Sequence, residues 1–316
     1  MRKFYLLAMV IAGSVTLVAQ DYAIGSTSFT FTDPSRPGRN ITTQIYYPAI
    51  TSGENVPAAT GPKFPYVIMA HGYLMSYSAY ANIWEVLVPQ GYIVVLPTTA
   101  SELFPDHEEF GKDIAYLSLR FPKLGKSPAS VLYSRVKSKC AAMGHSMGGG
   151  AVFLATQSIN KINTTITLAA AETSPSAVDA CATNVIPSLL FAGGDDCVTP
   201  LAGNQQPMYD NIAASCKALI LISGGSHCQF ANYNFNCSLG ELFCSAGISR
   251  AEQQETMNTF LIPWLDYYLK NQESALLLFD SLLVTTAGIS YEQECALPLR
   301  TGNIPADLSD EISIFP

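Results

Sequence analysis

Short apolar runs alternate with stretches of helical spacing along most of this chain, and the alternation limits the fold more than any other feature. The runs are rich in β-branched or aliphatic residues and are bounded by Gly or Pro, as buried strands are. They lie at residues 41–47, 66–70, 92–96, 140–144, 166–169, 188–192 and 218–222. Apolar strands that alternate with helices predict an α/β fold, with a mostly parallel sheet covered by helices on both faces.

Helical spacing marks the segments between these runs. The predicted helices lie at residues 77–89, 108–121, 129–136, 147–160, 201–214 and 250–269. No helix separates the runs at 29–32 and 41–47, so we expect these two strands to form an antiparallel edge. No repeat and no Pro- or Ser-rich linker divides the 316 residues, which predicts a single domain over residues 20–316. The pattern leaves open whether the tail after residue 272 packs on this domain or forms an appendage.

The N-terminus has the pattern of an export signal. Arg2 and Lys3 precede an apolar run that ends at Val18, and Ala19 is followed by a polar residue. A membrane anchor would need about 20 unbroken apolar residues, so we interpret residues 1–19 as a signal peptide and expect a secreted protein. No later segment is long and apolar enough to predict stable membrane insertion.

Charged residues are scarce, and their balance is acidic. Only 13% of the residues are charged, and the formal net charge is -8. Without a Lys/Arg cluster the chain lacks the attraction for phosphates that dominates nucleic-acid binding, so we exclude nucleic acid as a partner. A surface with few charges is better suited to neutral molecules, or to an insoluble surface, than to a charged metabolite.

The eight cysteines are interpreted through the expected export. An even number of cysteines in an oxidising compartment indicates disulfides. No CxxC pair occurs, which disfavours a zinc knuckle or a redox motif. The spacing alone does not select one pairing among the many that are possible.

The motif that points to chemistry is Gly144-His145-Ser146-Met147-Gly148. It follows the predicted strand at 140–144 and precedes a predicted helix, which is the strand–turn–helix setting of a nucleophile elbow. Side chains at residues 144 and 148 would clash where the backbone turns sharply. The sequence therefore predicts Ser146 as a catalytic nucleophile.

A serine nucleophile needs a histidine base, and four histidines are available. His145 adjoins the nucleophile, His71 lies at a strand end, and His107 precedes Ser146 in the chain, against the Ser, acid, His order of this architecture. We therefore predict His227, on a loop after the strand at 218–222, as the base. For His71 we expect a role in bracing its loop.

The acid is expected between these two residues, on the loop after the strand at 188–192. We favour Asp196, because the residue at that place before a Val-Thr-Pro turn faces the histidine loop in such sites. Asp195 and, more distantly, Glu172 stay open as alternatives. For the oxyanion hole we expect two backbone N–H groups, that of Met147 after the nucleophile and that of Tyr73 after Gly72.

These motifs resemble those of the α/β-hydrolase superfamily. The stretches Gly-His-Ser-Met-Gly-Gly-Gly, Asp-Cys-Val-Thr-Pro and Gly-Gly-Ser-His are similar to those of cutinase-like polyester hydrolases and of dienelactone-hydrolase-type and chlorophyllase-type esterases, over roughly residues 25–270. The resemblance implies a Ser146, Asp196, His227 triad without a cofactor or metal, and Tyr73 as an aromatic wall of the substrate cleft. It departs at residues 170–174, where these enzymes often carry a Trp, and at residues 229–248, which are longer and are expected to cover or reshape the cleft.

The resemblance also suggests a pairing for some cysteines. One cysteine directly follows the expected acid and another directly follows the expected base. If both loops converge on the nucleophile, a Cys197–Cys228 bridge would link them, similar to a bridge near the site of some polyester hydrolases. Cys237–Cys244 would then close a small loop beyond the histidine.

Together these expectations describe a secreted, monomeric serine esterase. Its partner would be a neutral ester of short or medium chain, and the resemblance extends this to polyesters. One alternative is a phospholipase of the platelet-activating-factor acetylhydrolase type, which shares the architecture. A second is a hydrolase fold without catalysis that serves as a secreted binding protein.

Overall fold

The computed structural model describes residues 21–295, so the predicted signal peptide and the last 21 residues lie outside the described residues. Within this range ten strands form one sheet. The strands are β1 (Ala23–Thr32), β2 (Asn40–Ala49), β3 (Gly53–Glu54), β4 (Phe64–Ala70), β5 (Ile93–Pro97), β6 (Val136–His145), β7 (Ile162–Leu168), β8 (Ser188–Gly193), β9 (Cys216–Ile222) and β10 (Ile289–Cys295).

Parallel pairing dominates the centre of the sheet. Six strands pair in parallel in the order β9-β8-β7-β6-β4-β5. Strands β2 and β1 add an antiparallel edge beside β5, and β10 pairs antiparallel with β9 at the other edge. The predicted parallel sheet is confirmed, and the antiparallel edge lies where the sequence predicts it.

The described range contains eight α-helices, and helices lie on both faces of the sheet. They are α1 (Ala81–Leu87), α2 (His107–Arg120), α3 (Met147–Thr156), α4 (Ala177–Cys181), α5 (Gln205–Asn211), α6 (Phe235–Gly240), α7 (Arg250–Leu265) and α8 (Glu273–Thr285). None of them, over residues 21–295, combines the length and apolar character that crossing a membrane requires.

Successive residues of the central strands point to opposite faces of the sheet, which divides the core in two. On β4, Val67 and Met69 pack with residues of α1, α7 and α8, whereas Ile68 and Ala70 pack with residues of α2 and α3. All seven residues of β4 are buried. Burial on both faces explains why these strands are continuous apolar runs rather than alternating ones.

The prediction of a helix at residues 129–136 is wrong. The chain turns here instead, and β6 already begins at Val136. The Ser130 hydroxyl accepts a hydrogen bond from the Leu132 N–H, and Ser134 has a φ of 61°. Local serine bonds to the backbone compete with helical bonds, and a left-handed residue ends any helix.

The segment after residue 272 packs on the domain as far as the structure describes it. Its apolar run forms α8, and Phe279 of this helix packs against Trp264 of α7 with the ring centres 5.1 Å apart. Strand β10 then pairs with β9 over seven residues, and a Cys216–Cys295 disulfide joins the two strands.

Candidate active site

Ser146 occupies the turn between β6 and α3 and is the first feature of the site. Its φ is 55° and its ψ is -122°, a backbone conformation that residues with a side chain rarely adopt. The Ser146 N–H donates to the Leu168 carbonyl at 2.9 Å, and the Ser146 carbonyl accepts from the N–H groups of Gly149 and Gly150 at 2.9 and 3.2 Å. The surrounding bonds therefore hold the strained turn, as they do at functional sites.

The glycines on either side of this serine are required by close backbone contacts. A Cβ on Gly144 would collide with the Gly148 carbonyl, and a Cβ on Gly148 would collide with the carbonyl of Ala70 at the end of β4. In both cases the obstacle is backbone, which does not give way as a flexible side chain does. The Gly-x-Ser-x-Gly spacing follows from how tightly β6 and α3 meet.

His227 and Asp196 lie together on two loops that follow neighbouring strands. His227 Nδ1 is 2.9 Å from Asp196 Oδ2, and both side chains are buried. Asp196 Oδ1 accepts hydrogen bonds from the N–H groups of Val198 and Thr199, each at 2.8 Å. Burial alone would raise the pKa of Asp196, but the hydrogen bonds and charge of its partners hold the pKa below its usual value.

The other expected acids have different surroundings. Asp195 is exposed, and it is bound to the histidine loop by its backbone N–H, which donates to the Gly225 carbonyl at 2.8 Å. Glu172 is exposed, and its carboxylate accepts from the Val178 N–H at 3.0 Å. Of the three carboxylates, the structure brings that of Asp196 to the histidine.

The loop after β4 lies against the nucleophile. A Cβ on Gly72 would be 3.4 Å from Ser146 Cβ, so the backbone at Gly72 approaches the serine closely. Tyr73 follows on this loop, and its hydroxyl donates to the Leu103 carbonyl at 2.8 Å. Met147 is the first residue of α3, where an N–H has no acceptor within its own helix. Tyr73 and Met147, the residues expected to supply the oxyanion donors, both line the same cleft as Ser146.

His71, which precedes this loop, lies between two backbone carbonyls. Its Nδ1 is 2.9 Å from the Gly72 oxygen and its Nε2 is 2.8 Å from the Thr99 oxygen. The ring is buried and connects the loop after β4 to the segment after β5. This is the bracing position that the sequence suggests.

A cleft of about 490 Å³ opens beside Ser146. Tyr73, Leu103, Phe104 and Val198 give it apolar walls, while Glu172 and His107 add polar groups to its lining. Two larger cavities, of about 590 and 700 Å³, lie beside α2 and are not lined by any member of the Ser146, Asp196, His227 set. Volume alone does not locate the chemistry, so we assign the site to the smaller cleft, which holds the strained serine.

Comparisons with known proteins show the family of this chain. A family model described as "PETase: PET hydrolase-like" matches residues 21–274, which include the serine, the histidine and the aspartate. This chain belongs to the PET hydrolase-like family. Cutinase est1 of Thermobifida alba is 24% identical over 200 residues, which cover 62% of this chain and 64% of that cutinase. The match therefore spans less than two thirds of this relative's length. The α/β-hydrolase fold that the motifs imply is confirmed by the family and by the sheet.

In this member of the PET hydrolase-like family, a second buried histidine, His145, contacts the backbone of His227. His145 Nε2 is 3.0 Å from the His227 carbonyl, which can only accept, so Nε2 carries the proton. Its Nδ1 then accepts from the Tyr80 hydroxyl at 3.0 Å, and that hydroxyl accepts from the Gly72 N–H at 2.7 Å. Burial and the neighbouring His227 lower the pKa of His145 to about 3, so the ring stays neutral.

Two further supports of the histidine loop have no motif in the sequence. The amide of Gln253 on α7 is buried, and it accepts from the Ser226 N–H and donates to the Ser226 carbonyl, both at 2.8 Å. Thr199 places its hydroxyl 3.0 Å from His227 Nδ1. Gln253 is far from the triad motifs in the chain, and only the helical period of α7, which directs it inward, hints at its place.

The expected disulfide pairing is wrong in both bridges. Cys197 pairs with Cys244, and Cys228 pairs with Cys237. Cys197 is exposed after Asp196, whereas Cys228 is buried after His227, so the two cysteines have different surroundings although their neighbours are in contact. Each cysteine is instead joined to residues 229–248, the long segment that departs from the family pattern. Cys140 and Cys181 are buried and free in the described part of the chain.

This segment lies beside the cleft and contains α6. The Asn236 side chain donates to the Leu74 carbonyl at 2.8 Å, and a Cβ on Gly240 would be 3.8 Å from Val198 Cγ2. Helix α6 therefore lies between the loop after β4 and the loop after β8. The exposed side chains of residues 229–248 are mostly large and apolar: Tyr233, Phe235, Leu239, Leu242 and Phe243.

Proposed function

We propose that this protein is a secreted carboxylester hydrolase that works through a serine acyl-enzyme. The observation that carries the proposal is the strained Ser146 on the wall of an apolar cleft, beside a buried His227–Asp196 pair. Membership of the PET hydrolase-like family and the similarity to a cutinase both support ester hydrolysis. The alternating order of strands and helices brings these residues to one end of the sheet, where α/β folds bind ligands.

In the proposed reaction Ser146 Oγ attacks the ester carbonyl while His227 takes its proton. Asp196 holds the ring through Nδ1 and stabilises the imidazolium that forms. The N–H groups of Met147 and Tyr73 donate to the oxyanion. His227 then protonates the departing alcohol, and the acyl group stays on the serine until water, activated by the same histidine, releases the acid.

The surroundings of the cleft favour a neutral and poorly soluble ester. Val198 of the cleft wall lies beside Gly240 of α6, and residues 229–248 expose several large apolar side chains. The one charged residue of that segment, Glu241, accepts from the Cys228 N–H at 2.9 Å. Exposed apolar side chains gathered beside a cleft are typical of surfaces that bind another apolar surface. We therefore infer that polyesters, as well as soluble esters, are substrates.

Secretion is supported by the disulfides and by the N-terminal pattern. Three disulfides form among residues 21–295, and such bonds persist in oxidising compartments. The basic start and apolar run of residues 1–19 supply the export signal that this location requires.

Labelling with a fluorophosphonate probe, followed by peptide mapping, tests the proposal. We expect one labelled site, Ser146, and no labelling of Ser146→Ala. Ser101→Ala, a change at an exposed serine near the cleft, is the matched control and should label like the wild type. Failure of the folded wild-type protein to label would contradict the serine mechanism and favour a binding protein without catalysis.

A substrate panel then tests the class of ester. It includes nitrophenyl esters of increasing chain length, a short-chain phospholipid and polyester film. We expect hydrolysis of the nitrophenyl esters and of the film, and loss of both with Ser146→Ala. Preference for the phospholipid over every neutral ester would instead support the phospholipase alternative.

A further inference from the structure

The hydroxyl of Thr199 touches both members of the acid–base pair. Thr199 Oγ1 is 2.8 Å from Asp196 Oδ2 and 3.0 Å from His227 Nδ1, and those two atoms are themselves 2.9 Å apart. The three atoms form a nearly equilateral triangle. Thr199 is buried, and it lines the cleft beside Ser146.

Other polar groups limit how this hydroxyl is oriented. The Gln205 amide nitrogen is 3.2 Å from Thr199 Oγ1, and the Ala169 carbonyl oxygen is also 3.2 Å away. A hydroxyl has one proton to donate and two lone pairs to accept with. The two shorter contacts are those of the triangle, and a carboxylate is a stronger acceptor than a neutral carbonyl. The proton therefore belongs on the bond to Asp196, and the lone pairs face His227 and Gln205.

We propose that Thr199 is a positioning residue for the acid–base pair, in which it donates to Asp196 and shares the Nδ1 proton of His227. The inference rests on the proposed function of this site. The shared proton fixes the plane of the imidazole ring at two acceptors rather than one. The bond to Asp196 Oδ2 also spreads part of the carboxylate charge onto the hydroxyl, which weakens the hold of that carboxylate on a proton at His227.

The proposal predicts the direction in which the pH profile of kcat/KM moves when the Thr199 hydroxyl is removed. Removal of the hydroxyl takes an acceptor from the Nδ1 proton, which disfavours the imidazolium, and a donor from Asp196, which favours it. The bond to the carboxylate is the shorter of the two and is charge-assisted, so its loss has the larger effect and the imidazolium is favoured in the variant. The acidic limb of kcat/KM, which reports this protonation in the free enzyme, then moves to higher pH.

Four charged or titratable groups face His227 or its loop and stay in place. Asp196 contacts the ring from the loop after β8, and His145 approaches from the end of β6 with its ring centre 4.8 Å away. Glu241, after α6, accepts from the Cys228 N–H, and Arg250, at the start of α7, donates to the Cys228 carbonyl. The contacts of His145, Glu241 and Arg250 do not involve Thr199, so among these groups the substitution changes only the surroundings of Asp196.

The test compares Thr199→Val, which keeps the shape and removes the hydroxyl, with Thr199→Ser, which restores the hydroxyl. For Thr199→Val we expect the acidic limb to move up by about 0.5 pH unit and kcat to fall by roughly 3- to 10-fold, as for loss of one hydrogen bond to a charged group. Thr199→Ser should return the limb to its wild-type position. Thr167→Val is the matched control, because Thr167 is a buried threonine of β7 whose hydroxyl has no partner among the described residues.

A structural role predicts a different result. If the hydroxyl only satisfied Gln205 and Ala169, Thr199→Val would lower the melting temperature and leave the pH profile in place, which would overturn the proposal. A limb that moves equally in Thr167→Val would overturn it as well. If Thr199→Val does not fold, the same profile is measured on Thr199→Ala, with the same two outcomes.

Probe labelling separates this inference from the proposed function. A wild-type protein that does not react at Ser146 would contradict the serine mechanism and this inference with it. Labelling at Ser146 together with an unmoved limb in the Thr199 variant would contradict only the role of Thr199. The Nδ1 proton resonance of His227 gives a second reading, and we expect it to move downfield in Thr199→Val because the proton is then bound to Asp196 alone.

Discussion

The two disulfides that hold residues 229–248 allow a quantitative prediction of stability, because the lengths of the loops they close are known. Each bridge also begins at the residue directly after the proposed acid or base. The Cys197–Cys244 bridge closes a loop of 47 residues, and the Cys228–Cys237 bridge closes a loop of 9. In the chain-entropy account these loops correspond to about 4 and about 2.5 kcal/mol of the free energy of unfolding. At about 2 °C per kcal/mol for a protein of this size, loss of the bridges lowers the melting temperature by about 8 and about 5 °C.

The substitution set separates the observed pairing from the one that the sequence suggests. We expect Cys197→Ser to lose as much stability as Cys197→Ser/Cys244→Ser, because either change breaks the same bridge. Cys197→Ser/Cys228→Ser should lose about 13 °C, since it breaks two bridges at once. Differential scanning calorimetry without reductant gives these values, and mass spectrometry of peptides cut under non-reducing conditions reads the partners directly.

One result would refute the Cys197–Cys244 and Cys228–Cys237 pairing and the melting temperatures expected from it. If Cys197→Ser/Cys228→Ser melts at the temperature of either single variant, those two cysteines are partners. The same variants report function, because residues 229–248 are attached to the acid loop through one bridge and to the histidine loop through the other. We expect activity on polyester film to fall more than activity on a soluble ester in Cys197→Ser/Cys244→Ser, since the apolar segment is released at one end.

Three further predictions concern buried contacts of the site. Gln253→Leu leaves the Ser226 N–H and carbonyl without their partner, so we expect the free energy of unfolding to fall by about 2 to 4 kcal/mol and kcat to fall as well. A fall of less than about 1 kcal/mol in chemical unfolding would contradict the role of the Gln253 amide. Between pH 6.5 and 3 the unfolded chain binds a proton at His145 that the folded protein excludes, so the free energy of unfolding falls as the pH falls. The contribution of His145 to this fall is about 1.4 kcal/mol per pH unit. Chemical unfolding measured against pH should show that this contribution disappears in His145→Asn. Gly148→Ala forces a Cβ against backbone carbonyls and should cost about 3 kcal/mol or prevent folding, whereas Gly203→Ala, which has open space around it, should unfold like the wild type.

The predicted strands correspond to strands of the structure because their signal is local. A run such as Val67-Ile68-Met69 is apolar on both faces wherever it is placed, and the Gly and Pro residues around it end the strand. The nucleophile turn is predictable for a similar reason, since Gly144 and Gly148 are demanded by contacts within a few residues of the serine. The helix predicted at 129–136 fails because its serine side chains bind nearby backbone, which helical spacing does not register.

The disulfides show what local reasoning misses. The sequence placed a cysteine directly after each of two residues that touch, but a sulfur atom points one residue further on and can face the other side of its loop. Cys197 is exposed and Cys228 is buried, and the path of residues 229–248 decides which partner each of them reaches.

The sequence by itself therefore determined the α/β alternation, the position of the strained serine and the two loops that carry Asp196 and His227. These depend on period, on glycine spacing and on strand ends, which are properties of short segments. The tertiary structure decided which aspartate meets His227, which side chains hold that histidine, and which cysteines pair. Those choices depend on contacts such as Gln253 to Ser226, between residues that are distant in the chain, and their distances exist only once the sheet and its helices have packed.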